Sequence, residues 1–253
     1  MCDMTKRNPV GFLSGNLLKI IAMVLMTIDH YAVLFHPYDI NWRIPGRLAF
    51  PIFAFFIAEG YRYTRNRLRY FLTLAIAGTV FQVVYYLFTG GGMRNIFITL
   101  ALSLIPVFFF DISKKALLDK TSPLWKKILF PTAFVLVMVA LYFGCEKFKP
   151  DYRFWGTLVP LFVSLFHTPR GVEVPKWWQT LDILPVHLLC MLPPLILLNH
   201  TFGGIQHFSL LALLLLVFYS EKRGKWKMKY FFYIYYPLHL VLLEGLYLLM
   251  EFI

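Results

Sequence analysis

Charged residues are scarce in this sequence, and acids are the scarcer kind. Only 15% of the 253 residues are charged, with 13 Asp and Glu against 25 Lys and Arg. A soluble domain carries about 25% charged residues and about 45–50% apolar ones. Here 59% are hydrophobic, which excludes an ordinary soluble domain. Cysteine is also rare. Cys2, Cys145 and Cys190 form no CxxC and no paired spacing, so neither a disulfide framework nor a zinc site is indicated. The seven histidines include no HxxxH or HExxH, and no metal is expected. Walker A and GxGxxG motifs are absent, so a nucleotide would not be held by a glycine-rich loop. Nor is there an RNP motif, zinc knuckle or base-reading basic helix. The net charge of +12 therefore does not point to nucleic acid. Lys and Arg held in cytoplasmic loops account for it. No internal repeat is visible.

What remains is a series of apolar runs. Leu129–Phe143 and Leu210–Tyr219 contain no charge at all. A spanning helix needs about 20 mostly apolar residues, at about 1.5 Å rise each, to cross about 30 Å of hydrocarbon. Nine runs approach this requirement: 17–36, 46–63, 70–88, 95–113, 128–145, 154–167, 181–199, 204–220 and 230–250. The sixth is short and holds Pro160, which suits a tilted, kinked or re-entrant segment. The sequence thus predicts an all-α, multi-pass helical bundle of about nine transmembrane helices in the cell membrane, one domain over 1–253. Lys6 and Arg7 precede the first run as in a signal peptide, but no A-x-A site follows, so it reads as an uncleaved span. Gly90–Gly92 and Gly203–Gly204 mark tight turns, and Trp177–Trp178 suits interfacial anchoring. With the N-terminus cytoplasmic, 18 basic residues fall in inner segments and 6 in outer ones, which predicts the C-terminus outside.

Charge at bilayer depth is costly and usually faces a cavity or a partner. Asp29 and His30 lie in the outer half of the first run. Adjacent helical residues point about 100° apart, so each needs a partner elsewhere. Arg47 follows a short connection back and is the obvious partner for Asp29. The pair reads either as packing or as a group that also holds an anionic or carbonyl substrate. His30 reads either as a residue bonded to backbone or as a general base, since imidazole titrates near working pH. Glu59 and Arg62 share a helix face near the inner end of the second run, followed by Arg65 and Arg69. These arginines read as a solvated inner loop or, together, as a phosphate-binding group. Asn95 opens the fourth run. In the last run Pro237 is expected to break the helix locally beside Tyr235, Tyr236 and His239, making a cavity wall. His187, His200 and His207 are placed in or near outer segments as weaker candidates.

Several blocks together resemble the TraX family. They are Leu18–Met23 running into Ile28-Asp29-His30, then Gly46–Phe53, Ala58–Tyr61 and Tyr235–His239. TraX proteins are named for the membrane protein that acetylates the N-terminus of conjugative pilin. The resemblance implies a membrane acyltransferase that moves an acetyl group from cytoplasmic acetyl-CoA to an amine or hydroxyl acceptor. That acceptor is a protein N-terminus, peptide, glycan or small molecule at the membrane or its outer face. Asp29, His30, Arg47 and His239 then become catalytic candidates. Glu59, Arg62, Arg65, Arg69, Asn95 and Tyr236 become candidates for cofactor binding. No serine or cysteine sits in a triad-like setting, which favours direct transfer. Two other classes stand beside this one. In a proton-coupled transporter or flippase, Asp29, His30 and His239 would form a proton relay; the third class is a non-catalytic scaffold.

Overall fold

A computed structural model of the chain describes residues 8–89, 95–226 and 228–251. Lys6, Arg7, Gly90–Gly92, Arg94, Lys227 and Cys2 lie outside the described residues. Ten α-helices follow one another: α1 (Gly15–Phe35), α2 (Ala49–Tyr63), α3 (Arg67–Thr89), α4 (Ile96–Leu118), α5 (Leu124–Phe148), α6 (Arg153–Val163), α7 (Lys176–Leu181), α8 (Leu184–Phe202), α9 (Ala212–Val217) and α10 (Lys229–Glu251). Among the described residues no strand forms beyond one bridge between Leu13 and Tyr219.

Among the described residues six helices are long and apolar enough to cross a membrane: α1, α3, α4, α5, α8 and α10. The chain is therefore a membrane protein by length and composition of its helices. The other three predicted runs fold as shorter pieces. In 46–63, Pro45 opens a 3-10 turn through Leu48, and α2 keeps only 15 residues. That is about 22 Å at 1.5 Å per residue, short of the hydrocarbon core. In 154–167, α6 stops after 11 residues. In 204–220, a 3-10 stretch reaches Leu211 before α9 begins. Gly203 and Gly204, expected to turn tightly, have φ of 63° and 53°, a region that non-glycine residues rarely enter.

The chain divides into two compact units: residues 1–53 with 199–253, and residues 54–198. In the first, α1 packs against α10 and against two 3-10 turns, Ile40–Arg43 and Pro45–Leu48. The start of α1 is closed by Ser14, whose hydroxyl accepts the Leu17 N–H at 3.3 Å. The N–H groups of Gly15 and Asn16 donate to the carbonyls of Lys222 and Arg223, at 2.8 and 2.9 Å. These bonds satisfy donors that every helix start leaves open. Helix α10 runs through Pro237 as one element rather than breaking there.

In the second unit α4 is the central helix and packs against α3, α5 and α6. Asn95 caps it: its carbonyl oxygen accepts the Phe97 N–H at 2.9 Å, and its amide donates to the Gly78 carbonyl at 2.7 Å. Helix α5 is apolar on all sides and mostly exposed, as is α3. An apolar surface left outward on long helices is what a lipid environment accommodates.

Candidate active site

The first unit assembles the residues around Asp29 and His30. The 3-10 turns after α1 are tight enough to bring two guanidinium groups back onto one carboxylate. Arg43 Nε donates to Asp29 Oδ1 at 3.1 Å, and Arg47 Nη2 donates to Oδ2. Asp29 is 8% exposed, so its carboxylate and Arg47 sit largely out of water while Arg43 stays partly exposed. Arg47 also reaches Gln206 Oε1 at 3.4 Å. Gly46 makes this approach possible, because a Cβ there would lie 2.8 Å from Asp29 Cγ and closer still to its Cβ. Two guanidinium groups against one carboxylate leave a net positive charge beside His30.

His30 points elsewhere, as the helical offset requires. Its Nδ1 lies 2.8 Å from His239 Nε2. His239 Nδ1 in turn lies 3.0 Å from the Tyr235 carbonyl oxygen. A carbonyl only accepts, so His239 Nδ1 carries a proton. In neutral His239 the Nε2 is then an acceptor, and His30 Nδ1 must be the donor. This leaves His30 Nε2 as a bare lone pair, with no hydrogen-bond partner among the described residues. The backbone of α10 thus sets the tautomer of a side chain on α1. The rings are stacked: His30 on His239 at 5.0 Å between centroids, and His239 on Tyr235 at 5.2 Å. Tyr235 is fixed by its hydroxyl, which donates to Thr27 Oγ1 at 2.7 Å while Thr27 donates to the Met23 carbonyl. Tyr236 meets both imidazoles edge-on.

The second unit holds a separate polar cluster. Asp182, in the turn between α7 and α8, receives Arg62 on both oxygens at 2.9 and 3.0 Å. It also accepts from the Thr168 N–H and hydroxyl, at 3.1 and 2.8 Å, and from His187 Nε2 at 3.0 Å. Burial pushes the Asp182 carboxyl up, but the His187 bond, Arg62 and Thr168 outweigh it and hold it well below the usual carboxylate range. His187 meets the ring of His167 edge-on, 4.5 Å between centroids, and His167 Nε2 lies 3.8 Å from Glu59 Oε1. Lys114 Nζ donates to the carbonyls of Ser164, Leu165 and His167 at 2.7, 3.3 and 3.0 Å, closing the C-terminal end of α6. A basic cleft runs past this cluster. Its inner part is narrow, with room of about 20 Å³, and is lined by residues including Arg62, Arg67, Lys114, His167 and Arg170. Its open mouth, about 380 Å³, adds Arg65, Asn66 and Lys115. Asp111 is the acid in both linings and pairs with Arg67 at 2.7 Å.

The family model for TraX proteins matches residues 14–247. The chain belongs to the TraX family. It is 28% identical over 259 residues to the probable fimbrial assembly protein FimC, serogroup H1, of Dichelobacter nodosus, covering 89% of this chain and 92% of that one. It is also 32% identical over 96 residues to uncharacterized protein RP591 of Rickettsia prowazekii (strain Madrid E), covering 38% and 37% of the two chains. No solved structure matches significantly.

Of the site candidates read from the sequence, Asp29, His30, Arg47, His239 and Tyr236 come together in the first unit. Glu59 and Arg62 belong to the second, with Arg65 at the cleft mouth. Arg69 is exposed on the first turn of α3, where its N–H binds Asn66 Oδ1 at 2.8 Å, and it does not line the cleft. Asn95 is committed to the start of α4 as described. Sequence reasoning missed Arg43, Gln206, Asp182 and His167, and it did not connect His187 with Asp182 and Arg62. The scarcity of acids is the signal that would have found Asp182: with 13 acids for 25 bases, an acid at the edge of an apolar run is worth pairing with every nearby arginine.

Proposed function

We propose that this TraX-family protein is an acyltransferase of the cytoplasmic membrane, taking an acetyl or similar acyl group from cytoplasmic acyl-CoA to an amine or hydroxyl. The observation that carries this reading is the fixed tautomer of His30, which leaves Nε2 available as a general base. In the reaction, His30 Nε2 takes the proton of the acceptor as its nitrogen or oxygen bonds the thioester carbonyl carbon. The charge that develops on the carbonyl oxygen meets the surplus positive charge of Arg43 and Arg47 over Asp29. The C–S bond then breaks, and the departing thiolate receives the proton held on His30. Asp29 and Arg47 set the local field, and His239 orients His30 without touching substrate. The phosphates of the donor are assigned to the basic cleft of residues 54–198, where Arg62 and Arg65 lie. The name of the Dichelobacter relative favours a protein subunit of a surface fibre as acceptor.

The same reading places all nine apolar segments in the membrane, with the N-terminal side cytoplasmic and the C-terminal side outside, as the 18-to-6 distribution of basic residues favours. Labelling of single cysteines introduced at residues 66 and 148 from either side of sealed vesicles tests this. For the chemistry, His30→Ala is assayed for transfer from labelled acetyl-CoA in liposomes. A drop of roughly 10²–10⁴-fold is expected for loss of a general base, and wild-type turnover would sink the assignment. A proton-coupled transporter is the second reading, favoured by the direct bond between His30 and His239. It predicts no stabilisation by CoA in a thermal-shift titration, whereas the acyltransferase predicts a rise with CoA concentration.

A further inference from the structure

The histidine pair of the second unit has a task that the acyl-transfer chemistry above leaves unassigned. Asp182 only accepts, so the bond from His187 fixes the proton on Nε2 and leaves Nδ1 bare. That Nδ1 is buried without a partner, and so is Nε2 of His167. Both histidines are at least nine-tenths buried, at 4% and 5% exposure. Buried orphan polar atoms are uncommon and destabilising, so two in adjacent rings need an explanation. His167 also lines the inner end of the basic cleft, so it connects the buried pair to whatever occupies that cleft.

The charges facing His167 come from every side. From α2 come Glu59 and Arg62, from α4 Lys114 and Asp111, from α3 Arg67, and from the turns Asp182 and Arg170. Burial disfavours a proton on His167 while the cleft is empty, and the cations, which outnumber the acids here, add to that. An anion in the cleft reverses that balance. His167 then gains a proton on Nε2 and shares it with Glu59 Oε1 or with the bare Nδ1 of His187, either of which satisfies an orphan atom. The mouth is built for such an anion. Arg65 and Lys115 line it, and neither side chain has a hydrogen-bond or ion-pair partner among the described residues.

We propose that the cleft of residues 54–198 binds a phosphorylated polyanion, and that its occupancy draws one proton from solvent onto the His167–His187 pair. The natural ligand follows from the acyl-CoA reading, but the site and its proton linkage stand on the cleft alone.

The test is titration calorimetry of the full-length protein in detergent with CoA and, separately, with inorganic diphosphate, in buffers of different ionisation enthalpy. Near pH 7, uptake approaching about one proton per ligand is expected, with affinity falling up to about tenfold per pH unit as pH rises. In His167→Gln and His187→Asn the uptake falls towards zero, provided the variants keep a cooperative thermal transition. Arg65→Gln with Lys115→Gln weakens binding roughly tenfold and leaves the uptake unchanged. Buffer-independent heats in the wild type overturn the linkage without recourse to any variant. Unchanged uptake in His167→Gln does the same, and absence of binding by both ligands overturns the site. If diphosphate binds with proton uptake and CoA does not bind, the cleft proposal stands and the donor reading fails. If CoA binds with no uptake, the reverse holds.

Discussion

Replacing His239 by Phe keeps a flat ring of similar size against Tyr235 and removes the acceptor for His30 Nδ1. In the native arrangement the proton on Nδ1 is held by a 2.8 Å bond, and Nε2 is bare. Without His239 Nε2, a proton on Nδ1 is left half-buried with no partner, at about 1–3 kcal/mol. His30 escapes that cost by moving its proton to Nε2, the nitrogen that has to act as base. The reactive tautomer is therefore disfavoured by about 1–3 kcal/mol, which lowers turnover by about fivefold to about a hundredfold. The effect falls on kcat, because His239 touches no substrate. His239→Gln supplies an amide oxygen that can accept from His30 Nδ1, and it recovers most of the loss. Transfer from labelled acetyl-CoA in liposomes reads both variants, and nitrogen NMR of labelled histidine reads the tautomer directly. A His239→Phe enzyme within twofold of wild type, or a Gln variant no better than Phe, would refute the tautomer chain.

Gly46→Ala forces a Cβ into the Asp29 side chain, 2.8 Å from its Cγ. Overpacking of this kind costs about 1–3 kcal/mol, seen as a lower Tm, and activity falls with it as Asp29 is displaced. Asp182→Asn leaves the Arg62 guanidinium without its carboxylate, at about 3–5 kcal/mol in chemical denaturation. Because the folded carboxyl is held below its usual range, the stability it gives is complete above the unfolded pKa of about 4 and is lost as pH falls below that. An acid titration of Tm shows this slope in the wild type, and the Asn variant flattens it. Asn95→Ala removes the cap of α4 and costs about 0.5–2 kcal/mol, again by denaturant titration.

The composition and apolar runs made the helical membrane class legible, and the six long helices follow from them. The Asp29–Arg47 pair was legible because a ten-residue connection has few ways to return. Arg43 was not, because its contact depends on two successive 3-10 turns whose tight winding is not encoded by periodicity. The three overlong runs share a cause: hydropathy counts apolar residues and takes no account of where a helix stops. Pro45, Ser164 and the Gly203–Gly204 pair end or delay helices inside stretches that remain apolar throughout. The bond between His30 and His239 joins positions 209 apart in the chain, and only tertiary packing makes such a bond. Lys114 was counted as a loop cation, yet it lies inside α4 with its ammonium buried against three carbonyls.

That buried ammonium bears on the order in which the protein is made. A helix of 11 residues whose end is buried leaves carbonyls that neither solvent nor its own backbone can satisfy. α6 is therefore a poor candidate for insertion by itself. Its partner has already been synthesised, because Lys114 precedes α6 by about forty residues in the chain. The nascent chain carries the closing charge for a helix not yet made, and α6 is stable only once α4 is beside it. Lys114→Met should then reveal itself less in the finished protein than during synthesis, as chains degraded before α6 finds its place.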